Sequence, residues 1–360
     1  MAGFVPVRLW NTPNNSNNKH SYIDTTMQHT HISLAHGNGG RFMRELINEL
    51  FARYLANPLL NTRTDAAALS EIEGELMMTT DGFTVQPLEF PGGDIGALAI
   101  HGTVNDLAVA GADPLYLSLN AFIEEGLEIA QLERIIQSLA TAAEHAGVKI
   151  VTGDTKVVRR GEGGGVYLAT TGVGIKHAQQ DLSMDHIQTG DCILVSGPVG
   201  DHGTAVMLAR EQFGMRGDLQ SDAATVLPLT RALRDIAGLR FMRDPTRGGL
   251  ASVMQEIHQA TGLGLRLKQK DIPIREPATA VCEMLGYDPL YLACEGRVVA
   301  VVAEADADKA LGLWQQLPGG KDAALIGQVT DAQHRVILET ELGGERILEE
   351  LEDDPLPRIC

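Results

Sequence analysis

Three carboxylates stand where apolar runs meet a glycine or a helix: Asp81 in "TTDG", Asp106 in "TVNDLA" and Asp154 in "GDTK", with Lys156 two residues beyond the last. Hard oxygen ligands of this kind suit Mg²⁺, which takes a few carboxylates and completes its shell with substrate phosphates. A lysine beside them can neutralise a transferring phosphoryl group or an oxyanion. Taken singly, each aspartate reads equally as turn or cap chemistry. Together with Lys156 they predict a nucleotide–metal site at the carboxyl ends of strands, where a rigid sheet holds its loops. Two glycine turns, "HGNGGR" with Gly39 and Gly40 and "DPTRGGL", precede helices and can offer backbone N–H groups to an anion, although plain helix capping explains either one as well. The chain closes on "PLPRIC", which puts the thiol of Cys360 behind two prolines and the acidic residues Glu349, Glu350, Glu352, Asp353 and Asp354. An exposed thiol is a liability on most soluble proteins, so this one calls for a purpose.

The elements that must position these groups come from 360 residues, enough for two domains with separate cores. An apolar share of 44% with 4% aromatic residues suits a soluble α/β or α+β protein. No run of 18 uncharged apolar residues occurs, so no membrane span is expected. Residues 1–31 are polar and lack a secretory apolar core; they read as a disordered leader, and the spacing of His20, His29 and His31 matches no metal site. The four cysteines form no CxxC pair, which argues against structural zinc or a disulfide framework and fits a reducing, cytoplasmic setting. Cys192, Cys282 and Cys294 lie in apolar contexts and read as core. A formal charge of −18 excludes a nucleic-acid footprint and leaves polyphosphates to metal ions and local cations.

Along the chain, apolar spacing predicts a helix over "RFMRELINELFARYL", stopped by Asn57-Pro58, then a strand at "ELMMTT". "DIGALAIHGTVNDLAVAG" is helix-like, "LYLSLNAFI" a strand, and "LEIAQLERIIQSLATAAEHAG" an amphipathic helix with a glycine stop. "VKIVTGDTKVV" reads as a short buried strand running into a turn. A second half starts near residue 187 with "DCILVSGPVGDHG" and alternates helices with strands through "RVILET". The expected organisation is a leader (1–31), an N-terminal domain (32–186), a C-terminal α/β domain (187–345) and a flexible tail (346–360).

The motifs "LAHGNGG", "TTDG", "GALAIHGTVNDLAVAGADPLYLS", "IVTGDTKVV", "LVSGPVGDHG", "RDPTRGG", "ACEG" and "PRIC", met in that order from Ile32 to Cys360, resemble the HypE family, the carbamoyl dehydratases of nickel–iron hydrogenase maturation. "GDTK" and "TRGG" also resemble the wider superfamily of aminoimidazole ribonucleotide synthetase and selenophosphate synthetase; the terminal cysteine selects the family. The resemblance implies two α/β (α+β) domains with mixed sheets covered by helices, and a homodimer formed through N-terminal-domain strands. It implies ATP and Mg²⁺ in a cleft. It also implies two partners: a carbamoyltransferase that loads Cys360, and an iron-carrying scaffold complex that accepts cyanide.

On that reading the carbamoyl group on Cys360 is dehydrated to a thiocyanate, which requires the amide oxygen to leave as phosphate. Asp81, Asp106 and Asp154 are assigned to Mg²⁺, and Lys156 to charge on the transferring group. Glu295 in "ACEG" is the expected base, its pKa raised by burial, with His101 second, four residues before Asn105 on one helical face. Gly39, Gly40, Thr155, Asn105, Asp244 and Arg247 are expected around the nucleotide. An extended chain from Ile347 to Cys360 would span on the order of 40 Å, enough to visit a partner and return. The α-carboxylate disfavours a thiolate and Arg358 partly offsets it, so the thiol reads as an acceptor with little reactivity of its own. Two alternatives remain: another synthetase of the superfamily acting on a diffusible substrate, and a scaffold whose tail only docks. A selenide enzyme would carry a Cys in "HGNGG", which has none.

Overall fold

The computed structural model describes residues 29–69, 71–211, 219–332, 334–352 and 359–360. The first domain opens with α1 (41–54), helical throughout with a π-turn at Ile47–Phe51. There follow β1 (Leu76–Phe83), α2 (Ile95–Val109), β2 (Ala112–Glu124), α3 (Ile129–Ala146), β3 (Lys149–Val158) and β4 (Val166–Lys176). The sheet order is β1-β4-β2-β3, antiparallel except for the β2–β3 pair. Asp94 starts α2 by accepting the N–H groups of Gly96 and Ala97 at 2.7 and 3.0 Å. α3 buries Leu132, Ile135, Ile136, Leu139 and Ala143 on one stripe and stops at Gly147, whose φ of 73° is the left-handed cap that glycine takes without penalty.

α2 lies against β1, β4 and β2, and α3 packs beside it, so one face of the sheet is covered. The other face is open. Along β1, Thr79, Asp81 and Phe83 turn inward while Leu76 and Met78, 55% and 74% exposed, turn outward with Phe122 of β2. "GDTK" is no turn: β3 runs through it for ten residues, and "TTDG" likewise lies inside β1. Ladder bonds from neighbouring strands override the poor strand propensity of Asp and Gly there. The expected placing of these carboxylates beyond strand ends is thereby corrected.

The second domain contains β5 (Cys192–Val195), α4 (Asp201–Glu211), α5 (Leu227–Ala232), β6 (Leu239–Arg243), α6 (Gly249–Thr261), β7 (Gly264–Lys268), α7 (Glu276–Leu285), β8 (Val299–Val302), α8 (Glu304–Gln315), β9 (Ala324–Thr330), β10 (Val336–Glu339) and β11 (Glu345–Ile347). Its sheet runs β11-β10-β7-β9-β5-β8-β6. β5 and β8, inside the sheet, are buried at every position, as their unbroken apolar sequences require. No described helix is long and apolar enough to cross a membrane.

The ends of the chain are tied down further than the sequence predicts. Thr30 accepts the Ile129 N–H at 2.9 Å, so residues 29–31 sit at the start of α3; residues 1–28, with His20, lie outside the described residues. Residues 346–350, expected in the tail, are held to the second domain. β11 pairs with β10, Leu348 is fully buried, and Tyr291 and Gln259 donate to the Glu349 carbonyl and the Glu350 carboxylate, each at 2.8 Å. Residues 353–358, Arg358 among them, lie outside the described residues.

Candidate functional site

One cluster of predicted residues gathers where the two domains meet. Asp81 comes from the inner face of β1, Asp106 from α2, Asp244 and Arg247 from the loop after β6, and Glu295 from the loop before β8. Cys360 joins them. The Arg247 guanidinium lies 3.6 Å from the Asp81 carboxylate and interacts electrostatically with the Cys360 thiol. Thr79 Oγ1 donates to Asp106 Oδ2 at 2.9 Å.

The loops carrying the cluster are braced from behind. Pro245 lies two residues past β6, and its carbonyl accepts the Cys294 N–H at 2.9 Å, which ties "DPTRGG" to "ACEG". Gly248 and Gly249 both take left-handed φ values, 67° and 59°. A Cβ on Gly249 would stand 2.5 Å from the Leu292 carbonyl oxygen, so both strain and space demand glycine. The turn delivers the positive end of α6 toward the carboxylates. The Asp222 carboxylate accepts the N–H groups of Glu295 and Gly296 at 3.1 and 3.3 Å and lies 3.5 Å from Arg297.

Burial in this setting disfavours charge. It pushes Glu295 well above the usual carboxylate range, with Asp244 and Asp222 adding to it, and Glu295 Oε1 has no hydrogen-bond partner. Burial, then Asp106, lifts Asp244 to about 7, and burial also raises Asp106 against the Thr79 hydrogen bond. The Cys360 thiol is pushed up to about 12 by burial and by Glu295, with Arg247 opposing. A cluster so short of positive charge fits a cation. Among the described residues, no three His, Cys, Asp or Glu side chains converge closely enough to hold one alone. That matches Mg²⁺, which takes one or two carboxylates and fills its remaining positions with phosphate oxygens and water.

Asp244 provides a pH test. Its folded pKa lies above the ordinary 3.8, so its contribution is complete below pH 4 and is lost as pH climbs through 7. A shift of that size corresponds to a loss on the order of 4 kcal/mol. Asp244→Asn is expected to raise the melting temperature of the nucleotide-free protein at pH 8 and leave it nearly unchanged at pH 4. A lower melting temperature at pH 8 would contradict this placement of the carboxylate.

A second group sits apart. Lys156 Nζ lies 2.7 Å from Asp154 Oδ2 and holds that carboxyl below its ordinary range; both side chains are more than half exposed, at 58% and 53%. Asp81 pairs with Thr170, Thr170 with Leu119, and Leu119 with Gly153, so Asp154 stands three strands away, about 14 Å. Alternation puts it on the open face, opposite Asp81. Within one chain Asp81, Asp106 and Asp154 therefore do not form one metal site. The "HGNGG" loop lies beside this second group: a Cβ on Gly37 would meet Val157 of β3 at 2.8 Å, and Gly39 takes a φ of 78°. Gly40 precedes α1, and Thr155 is buried with its N–H on Asp154 Oδ1 at 2.8 Å.

Two expected residues sit in surroundings the sequence does not show. His101 lies near His145 at the end of α3; burial, then His145, lowers its pKa to about 4, and its Nδ1 is buried with no hydrogen-bond partner. Asn105 is buried with both amide donors used: Nδ2 donates to the Ala224 and Glu295 carbonyls at 3.0 and 3.1 Å, and Oδ1 accepts the Val226 N–H at 2.8 Å. It braces the "ACEG" loop and has no donor left for a nucleotide. Sequence reading missed Asp222, Thr84 and His202; they lie far along the chain from the residues they touch.

Comparison with known proteins gives this geometry its context. The family models for the N-terminal and C-terminal domains of AIR synthase related proteins match residues 63–176 and 188–339. The carbamoyl dehydratase HypE of Azotobacter vinelandii is 46% identical over 331 residues, covering 91% of this chain and 97% of that protein. The chain belongs to the HypE family. Carbamoyl dehydratase HypE of Escherichia coli K12 is 44% identical, covering 91% and 99% of the two chains. A crystal structure of the hydrogenase maturation protein HypE in complex with ATP superposes with a TM-score of 0.87 at 43% identity, covering 91% of this chain and 99% of that one. HypE in a HypE–HypF complex gives 0.75 at 42% identity, covering 85% and 99%. A thiamine monophosphate kinase from Aquifex aeolicus, 16% identical with a TM-score of 0.57, shares the fold alone. The mixed α/β architecture of two domains, expected from the motifs, is therefore that of HypE proteins.

Proposed function

We propose that this chain is an ATP-dependent dehydratase that converts a carbamoyl group on Cys360 to a thiocyanate, for use as the cyanide ligand of hydrogenase iron. The observation that carries the reading is the docking of Cys360 among Asp81, Arg247 and Glu295. The HypE relative solved with ATP supports ATP as the nucleotide here, and a carboxylate cluster with Arg247 as its neighbouring cation is consistent with magnesium. Asp81 and Asp106 would hold Mg²⁺, which supplies charge neutralisation for the phosphates when bound.

In the balanced reaction the thiocarbamate oxygen takes the γ-phosphoryl group and leaves as phosphate. The C–O bond breaks, both N–H protons depart, and C≡N forms. Glu295, whose buried Oε1 has no partner, takes one proton, the departing phosphate carries the other, and Arg247 positions the sulfur end. Lys156 and Asp154 point away from their own cleft. The open sheet face that carries them exposes Leu76, Met78 and Phe122, which supports a homodimer closed over that face, with one protomer's Lys156, Asp154 and glycine loop completing the partner's site. The partners are a carbamoyltransferase, for which the HypE–HypF complex is the precedent, and an iron-carrying scaffold that accepts cyanide. The free cysteines are consistent with work in the cytoplasm.

The test is mass spectrometry of the C-terminal peptide. After carbamoylation by the partner, Mg-ATP should remove the mass of one water from that peptide. If the carbamoylated peptide keeps its mass while ATP is consumed, the superfamily alternative with a diffusible substrate takes precedence.

A further inference from the structure

The grip on Cys360 falls mostly on its main chain. The Thr84 N–H donates to a carboxylate oxygen of Cys360 at 3.0 Å, and the Thr84 hydroxyl donates to the same atom at 3.2 Å. One residue back, the Ile359 carbonyl lies 2.9 Å from His202 Nε2, and the Ile359 side chain is buried in the core. A carbonyl only accepts, so Nε2 carries the proton. Nδ1 of the neutral ring is then an acceptor, placed 2.8 Å from Ser221 Oγ, which itself accepts the Ala223 N–H at 3.0 Å. His202 is wholly buried, which lowers its pKa and keeps the ring neutral, and it meets Phe90 edge-on at 5.4 Å. This tautomer leaves His202 one donor, already spent on the tail. Thr84 follows directly on β1, the strand of Asp81, and His202 belongs to α4, so the two donors come from different domains.

We propose that Thr84 and His202 are positioning residues that clamp the backbone of Ile359 and Cys360, so that the tail docks in the same register whatever the sulfur carries. A clamp on main-chain oxygens does not see the side chain. A thiol, a thiocarbamate and a thiocyanate would all be presented to the same point between Arg247 and Glu295. The inference that cargo changes during docking rests on the dehydratase reading; the clamp itself does not.

The full-length protein tests it through the accessibility of Cys360. Alkylation by iodoacetamide at pH 8, followed on the C-terminal peptide, should run more than about tenfold faster in Thr84→Val, which loses one hydrogen bond to a charged carboxylate, and about as much faster in His202→Phe. Thr84→Ser should return to the wild-type rate. Continued protection of the buried Cys192, Cys282 and Cys294 certifies the fold of each variant. Protection of the Thr84 amide from hydrogen exchange should be equal before and after chemical cyanylation of Cys360. Wild-type alkylation rates in both variants, failure of Thr84→Ser to restore protection, or loss of Thr84 protection on cyanylation would each overturn the clamp. None of these readouts depends on water loss from the carbamoylated peptide, so clamp and dehydratase stand or fall separately.

Discussion

Glu295→Gln is expected to slow dehydration of carbamoylated Cys360 by roughly 10² to 10⁴, the usual worth of a positioned general base. The substitution suits the site. Glu295 is 2% exposed and burial keeps its carboxyl protonated well above the ordinary range, so a neutral amide of the same size replaces it without a new cavity or a stranded charge. Folding stability should hold or rise, and loading of Cys360 by the partner should be unaffected. The same shift predicts that the wild-type single-turnover rate climbs with pH along a limb displaced above the ordinary carboxylate range. The glutamine variant should lack that limb. The measurement is the time course of water loss from the C-terminal peptide; a variant within tenfold of wild type would remove Glu295 from the role of base.

Lys156→Ala is expected to suppress the same reaction by a comparable factor, and its rescue tells where the lysine acts. Lys156 and Asp154 lie on the open face, opposite Asp81 in their own chain. If they complete the partner's cleft, co-expressing Lys156→Ala chains with Glu295→Gln chains creates mixed dimers. Each mixed dimer has one site with both residues intact. Random pairing then returns roughly a quarter of wild-type activity from two nearly inactive parents. Activity no higher than the parents' sum would mean that Lys156 serves its own chain or none. The two substitutions are far enough apart that their effects on folding should add.

Much of this architecture is written locally. The stripe Leu132, Ile135, Ile136, Leu139 and Ala143 makes α3 legible from spacing alone, and Gly147 marks its end because a left-handed residue is needed there. The β5 and β8 segments are recognisable as buried strands because nothing polar interrupts them. By contrast, "GDTK" misleads. Its Asp and Gly are turn formers in isolation, and only the ladder to β2 makes them strand. Asn105 misleads in the other direction, since its amide is committed to loops more than a hundred residues further along the chain.

The sequence by itself determined the two-domain α/β plan, the family, and the set of acidic residues, arginine and terminal thiol from which a phosphoryl-transfer site can be built. It also determined that Asp154 and Lys156 share a face, because strand side chains alternate with a period of two. Which face that is, and that Asp81 occupies the other, was decided by packing: α2 covers one side of the sheet, and among the described residues no element covers the second. Tertiary structure likewise brought Thr84 and His202 to the Ile359–Cys360 backbone and gave Glu295 its raised pKa. Such hydrogen bonds and desolvation arise only when segments distant along the chain come together and exclude water, and no local pattern records that.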